Sequence, residues 1–299
     1  MKRVLIIGMG SIGQKHYQTF QSLGADVRYV SRHRQEAGIS FSQVHTALSQ
    51  FDPNICLIAN DTSQHLDTLK GLLSHPKPLR MLVEKPLFHH PAQLSIQAQK
   101  VVYVGYNLRF LPLLQRLKEE VANRTVLSAD IYCGSYLPNW RAGMDYRKTA
   151  SASSHRGGGV LRDLSHDLDY TQWLLGEITP HSMLSGTFSN LDLDVEDTAL
   201  ILARAPNCPA LTIRLNYTDH LSQRYLHIIC DDTTLHADLL ANTLTIGDTK
   251  ENFEGSIQDT YLKQAKAILS PTPSPHLSTF EEALKLLHLI AQLEKMPHV

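Results

Sequence analysis

Residues 4–7 (VLII) are an unbroken aliphatic run, followed at once by Gly8-Met9-Gly10-Ser11-Ile12-Gly13 and then by a helix-forming stretch over 14–23. No other stretch limits the fold as much. A strand covered on both faces reads as continuous apolar sequence, and glycines spaced G-x-G-x-x-G between a strand and a helix each have a separate task. Gly8 permits the tight turn, Gly10 lets a pyrophosphate approach the backbone, and Gly13 lets helix and strand pack closely. The helix N-terminus then faces the phosphates. The chain is therefore expected to begin with a dinucleotide-binding unit in which Gly8, Gly10, Ser11, Ile12 and Gly13 hold the cofactor.

The next strand, 26–30, ends at Ser31-Arg32-His33-Arg34. An NAD-binding unit usually places an acidic residue there, about 20 positions after the glycines, to hold the ribose 2′-hydroxyl. A hydroxyl and two arginines instead suit a 2′-phosphate, so Ser31 and Arg32 favour NADP(H), with NAD(H) as the alternative. A third buried strand, 54–59, is followed by Asn60-Asp61-Thr62-Ser63-Gln64-His65. Open parallel sheets bind ligands at this edge, which makes Thr62 and His65 cofactor-binding candidates, although His65 also suits an ordinary helix start. Strand 80–83 runs into Glu84-Lys85-Pro86, and strand 101–105 into Tyr106-Asn107-Leu108-Arg109-Phe110. Alternating strands and helices predict a doubly wound parallel sheet.

A second stretch, 157–176 (GGGVLRDLSHDLDYTQWLLG), is read as one helix. At about 100° per residue, Asp163, His166, Asp167 and Tyr170 share a face opposite Leu161, Leu164, Leu168 and Leu175. Such a stripe is either a solvated surface or a site. The three glycines before it, which let another backbone or a ligand come close, favour the site. Strands are expected over 125–135, 182–188, 198–205, 210–217, 225–230, 234–237 and 244–246, forming one antiparallel sheet. The fold class is thus α/β plus α+β, with a Rossmann domain over 1–111 and an open-sheet domain for substrate binding and oligomerisation over 112–299. An open sheet must cover its second face, so a homodimer or homotetramer is expected. The long loop 136–148 interleaves Trp140, Arg141, Tyr146 and Arg147. Aromatic faces suit sugars and arginines suit carboxylate or phosphate, whereas the same loop would also suit a subunit interface.

Lys and Arg number 28 against 29 Asp and Glu, with no long block of one sign, so nothing points to nucleic acid or an anionic membrane. No apolar run approaches the roughly 20 residues of a membrane helix. Cys56, Cys133, Cys208 and Cys230 are too scattered for a zinc site or a disulfide framework, and fit reduced thiols in a cytoplasm. No metal is expected.

Taken together, GMGSIG, Glu84-Lys85-Pro86, Gly105-Tyr106-Asn107-Leu108-Arg109-Phe110, the GGG-x-L-x-D run from Gly157 to Asp163, and Val195-Glu196-Asp197-Thr198-Ala199 resemble the Gfo/Idh/MocA oxidoreductases. The resemblance implies a nicotinamide cofactor and a small carbohydrate partner, with hydride moving between them. It implies that Lys85 sits near nicotinamide and substrate hydroxyl, that Glu84 lies at the cofactor, and that Asn107, Arg109, Trp140, Arg141, Tyr146, Arg147, Asp163, His166 and Tyr170 bind substrate with Lys85. Lys85, Asp163, His166 and Asp167 are the catalytic candidates. In one respect the chain departs from the family pattern. The family usually has His four residues after this Asp, where this chain has Asp167, and its histidine, His166, comes one residue earlier. Either could be the acid/base. Lost catalysis, leaving an NADP(H)-binding sensor, is the alternative, and a glycoside-cleaving enzyme that recycles its cofactor is a third.

Overall fold

The computed structural model describes residues 1–296. In chain order it begins with β1 (Arg3–Ile7), α1 (Ser11–Ser22), β2 (Asp26–Val30), β3 (Ser40–Phe41), α2 (Val44–Phe51), β4 (Ile55–Ile58), α3 (Thr62–Leu73), β5 (Leu79–Val83) and β6 (Lys100–Val104). Next come α4 (Pro112–Ala122), β7 (Val126–Gly134), α5 (Val160–Asp163), α6 (Ser165–Leu175), β8 (Thr179–Gly186), β9 (Thr198–Ala205), β10 (Cys208–Asn216), β11 (Gln223–Cys230), β12 (Thr234–Asp238), β13 (Thr243–Ile246) and β14 (Thr249–Asn252). The chain closes with α7 (Ile257–Leu269), β15 (Ser278–Thr279) and α8 (Phe280–Leu293).

Two compact units result: Met1–Phe110 with Ser256–Leu287, and Leu111–Gly255 with the described residues 288–296. The linear division at 111/112 expected from sequence therefore misplaces the segment Ser256–Leu287. Apolar Ala265, Ile268 and Leu277 join the core made by Val4, Ile6, Leu57 and Leu82. Arg80, half-buried on β5, donates to the Ile268 carbonyl at 2.6 Å, satisfying an acceptor at the end of α7. Composition along the chain cannot show that a late helix returns to an early sheet.

The sheet of the first unit runs β15-β6-β5-β4-β1-β2-β3, parallel throughout except for β15 against β6. From one edge this reads 3-2-1-4-5-6, so the order reverses between β1 and β4, the place where open α/β sheets bind ligands. The second unit has an eight-stranded sheet in the order β14-β13-β12-β11-β7-β10-β9-β8. It is mostly antiparallel. A mostly antiparallel open sheet is what the sequence led us to expect; its one parallel pair among the described residues is β7/β10, and β14 was not foreseen. Along each strand alternate residues such as Ala129, Ile131, Ile201, Ile213, Leu215, Leu226 and Ile228 are buried. Helices α4, α5 and α6 pack on this unit's strands.

The stretch 157–176 is not one helix. Helix α5 stops at Asp163, Leu164 takes φ −92° and ψ 21°, and α6 starts at Ser165. Nor is its polar stripe a solvated face: Asp167 and Tyr170 are fully buried, and Asp163 and His166 are half-buried.

Candidate active site

In the first unit the glycine turn packs as its spacing requires. Gly8 has φ +100°, and a Cβ there would lie 2.5 Å from the Asn60 nitrogen. One on Gly13 would lie 2.0 Å from the Gly8 carbonyl oxygen. Around Gly10, by contrast, nothing stands within 4 Å of an added Cβ. Two glycines are thus consumed by backbone packing, and the third leaves clear space at the start of the 12-residue helix α1. Because Gly10 has no side chain to cap the helix, the amides of its first turn stay available to an anion. These residues fit a dinucleotide pyrophosphate. Ser31 and Arg32 follow β2, but the Ser31 hydroxyl already accepts the backbone amides of His33 and Arg34 at 3.3 and 3.0 Å, while Arg32 is exposed. Thr62 is half-buried in the first turn of α3.

His65 does not line a ligand site. It is 1% exposed; its Nδ1 lies 3.1 and 3.2 Å from the Pro86 and Leu87 carbonyl oxygens, and its Nε2 lies 3.0 Å from that of Asn60. Burial lowers its pKa, against the pull of those carbonyls and of Glu84. His65 fixes the turn after Lys85. Glu84, also expected at the cofactor, is buried, and its Oε1 meets His16 Nε2 at 2.6 Å. Lys85 itself is half-buried at the C-terminal edge of β5, and its peptide bond to Pro86 is cis. Asn107 and Arg109, expected to bind substrate, are buried and have partners within the same unit. Asn107 Nδ2 donates to Thr260 Oγ1 at 2.6 Å, and Arg109, 1% exposed, pairs with Glu282 at 3.2 Å. The motif GYNLRF anchors α7 and α8 to the end of β6.

In the second unit the four stripe residues separate into two pairs. Asp163 and His166 are half-buried, whereas Asp167 and Tyr170 are sealed. Asp163 Oδ2 accepts the Tyr217 hydroxyl at 2.8 Å. Asp167 accepts both Nε and Nη2 of Arg224, at 3.0 and 2.6 Å, and also the Tyr170 hydroxyl. Burial and the nearby Asp167 charge hold the Tyr170 phenol far above its usual pKa, while that carboxylate keeps Arg224 firmly protonated despite burial. Asp167 and Tyr170 are therefore committed to Arg224 and to each other. The helix break at Leu164 accounts for the difference, since it lets Asp163 reach the residue following β10 while Asp167 turns to β11.

The glycine run is explained by protein contacts. A Cβ on Gly158 would lie 2.3 Å from the Ala150 carbonyl oxygen, and one on Gly159, at φ +103°, would lie 2.4 Å from Glu196 Oε1. Glu196 accepts the Leu161 amide at 3.1 Å, which satisfies a donor at the start of α5. Its neighbour Asp197 accepts the Phe188 and Ser189 amides at 3.1 and 2.8 Å. The VEDTA motif thus shapes the backbone that presents Asp163.

Loop 136–148 keeps part of its expected character. Trp140 is 36% exposed, packs edge-on against Tyr217 with centroids 5.2 Å apart, and donates to Ser135. Arg141 and Met144 are exposed beside it. Arg147 folds back on Asp145 at 2.9 Å, and the Tyr146 hydroxyl accepts the Asp192 amide at 3.0 Å. Arg147 is thus committed within the loop, and Tyr146 to the backbone at Asp192. Sequence reasoning missed His16, Tyr217, Glu196 and Arg224. Only Arg224 left a readable signal: in QRYLHIIC it shares the inward register of Leu226 and Ile228, and a buried cation calls for a carboxylate.

Residues 125–236 match the profile of the GFO/IDH/MocA C-terminal domain, and residues 1–73 match that of the NAD-binding domain of D-isomer specific 2-hydroxyacid dehydrogenases. Residues 125–236 are thus similar to the C-terminal domain of the GFO/IDH/MocA proteins. Among curated relatives, the myo-inositol 2-dehydrogenase of Thermotoga maritima is 22% identical over 195 residues, which is 58% of this chain and 55% of that protein. The chain thus aligns with little more than half the length of this relative. Two solved structures share this two-unit fold over nearly their whole length. An oxidoreductase from Thermotoga maritima matches with a TM-score of 0.80 at 17% identity, covering 99% of this chain and 97% of that one. The WlbA dehydrogenase from Bordetella pertussis, in complex with NADH and UDP-GlcNAcA, matches with a TM-score of 0.75 at 16% identity, covering 97% and 94%.

Proposed function

We propose that the chain is a nicotinamide-dependent oxidoreductase that moves hydride between NAD(P) and a secondary alcohol or ketone of a sugar, sugar acid or nucleotide sugar. The observation that carries this is the glycine turn: Gly8 and Gly13 are filled by backbone, and Gly10 opens clear space at the start of α1. The C-terminal profile match and the activities of the similar proteins support a carbohydrate substrate. When bound, the nicotinamide supplies the hydride acceptor or donor. Gly10, Ser11 and Ile12 hold the pyrophosphate, and Thr62 lines the dinucleotide. Lys85 and His166 handle the hydroxyl proton, and Asp163, steadied by Tyr217, orients a substrate hydroxyl. Trp140 and Arg141 face the sugar.

The exposed Arg32 favours NADP(H) over NAD(H). Fluorescence titration tests both claims: NADPH should bind with the lower Kd, NADH more weakly. Equal or tighter NADH binding would reverse the preference, and no binding of either would remove the oxidoreductase reading. One observation supports a second reading, a cofactor-binding sensor. The position where the family usually keeps its histidine holds Asp167, locked to Arg224. Binding of NADPH with no turnover of polyols or nucleotide sugars would favour it.

We further propose a homodimer or homotetramer in which a second copy covers the outward face of the second sheet. That face exposes Leu127, Leu184, Leu202 and Ile229 at 47, 44, 46 and 38%, beside a hollow of about 740 Å³ lined by Asp130, Leu202, Arg204 and Thr212. Exposed apolar area on this scale marks an interface. Light scattering should give a mass at least twice 33.5 kDa; a monomer at micromolar concentration would rule it out.

A further inference from the structure

His16 lies in α1, whose first turn borders the clear space at Gly10, and it is 1% exposed. Its Nε2 is 2.6 Å from Glu84 Oε1, across 68 residues of sequence. Neither residue belongs to the surface, and a carboxylate taken out of water must be compensated. The other carboxylate oxygen, Oε2, accepts the backbone amide of Lys85 at 3.2 Å. Glu84 is also wedged: a Cβ on Gly105 would stand 3.0 Å from Cδ, Oε1 and Oε2 alike, so the carboxylate rests on bare backbone. The Tyr261 ring meets the His16 imidazole edge-on at 5.7 Å and closes the other side. Its phenol is held neutral by burial and by the Glu84 charge. Beyond Lys85, His65 grips the Pro86 and Leu87 carbonyls.

We propose that His16 is a positioning residue for Lys85: through the Glu84 carboxylate it fixes the residue 85 peptide relative to the helix that receives the dinucleotide. The inference rests on the oxidoreductase reading for its purpose, but its geometry lies wholly in the first unit. Imidazole Nε2–H donates to Oε1. Without that donor Glu84 keeps only the Lys85 amide, and a buried carboxylate so short of partners turns away in search of others. That movement loosens the acceptor that orients the Lys85 amide. Glutamine can place an amide N–H close to where imidazole Nε2–H stands, whereas alanine and asparagine cannot reach.

The test uses the full chain labelled with [13Cε]lysine, the Lys85 signal being assigned from its loss in Lys85→Arg. In His16→Ala that signal should move toward the positions of the solvent-exposed lysines, and His16→Gln should return it to its wild-type place. On a substrate the protein turns over, kcat should fall about tenfold in His16→Ala with KM little changed, and recover in His16→Gln. An unchanged Lys85 signal in the alanine variant, or no rescue by glutamine in a folded protein, overturns the proposal. Should alanine fail to fold, His16→Asn serves instead, with the same displacement expected. If no nicotinamide cofactor binds the wild type, the oxidoreductase reading fails while the lysine signal still decides the role of His16.

Discussion

Lys85→Met is expected to leave NADPH affinity within about twofold and to reduce turnover by about three orders of magnitude, the middle of the range for loss of a group that handles a proton in the transition state. Lys85 follows β5 at the edge where a parallel sheet meets its ligands, half-buried, with Glu84 held behind it and Pro86 and Leu87 held ahead by His65. Methionine keeps the apolar stem and removes only the ammonium. The fold and the glycine turn are untouched, so cofactor titration should be nearly unaltered while kcat and kcat/KM fall together. That pattern marks an interaction made mainly in the transition state. Turnover within a few fold of wild type would remove Lys85 from the chemistry.

Arg224→Met is expected to be the most destabilising single change among these residues, at about 3–5 kcal/mol, because it leaves the fully buried Asp167 carboxylate without its bidentate partner. Asp167→Leu combined with Arg224→Met should recover a large part of that loss, since a buried ion pair replaced by apolar side chains is often close to neutral. A loss below about 1 kcal/mol would show that Asp167 is paired elsewhere.

The two expected results also show where the sequence could be read and where it could not. Rossmann topology was legible because its cause is local: an aliphatic strand must be covered, and glycines at fixed spacing have fixed steric duties. The alternation in β9, β10 and β11 likewise announced a half-covered sheet. Arg224 could have been found by the same alternation. His16 could not, because nothing near it in sequence resembles Glu84.

The motifs were easier to find than to interpret. GGG before α5 looked like room for a ligand, yet the Gly158 and Gly159 contacts are the Ala150 backbone and the Glu196 carboxylate. Arg109 and Asn107, in a motif at a sheet edge, looked like substrate contacts and proved to be buried anchors. In both cases residue type and position showed that something had to approach closely, without showing what it was.

Sequence alone determined the dinucleotide-binding unit, the open sheet that follows it and the presence of an ionisable cluster after Gly159, because propensity, period and glycine sterics act over neighbouring residues. Tertiary structure decided which members of that cluster remain accessible. Helical periodicity put Asp163, His166, Asp167 and Tyr170 on one face, but a single non-helical residue, Leu164, resets the phase. Partners from distant strands then divide the four: Tyr217 steadies a half-buried Asp163, while Arg224 seals Asp167 with Tyr170.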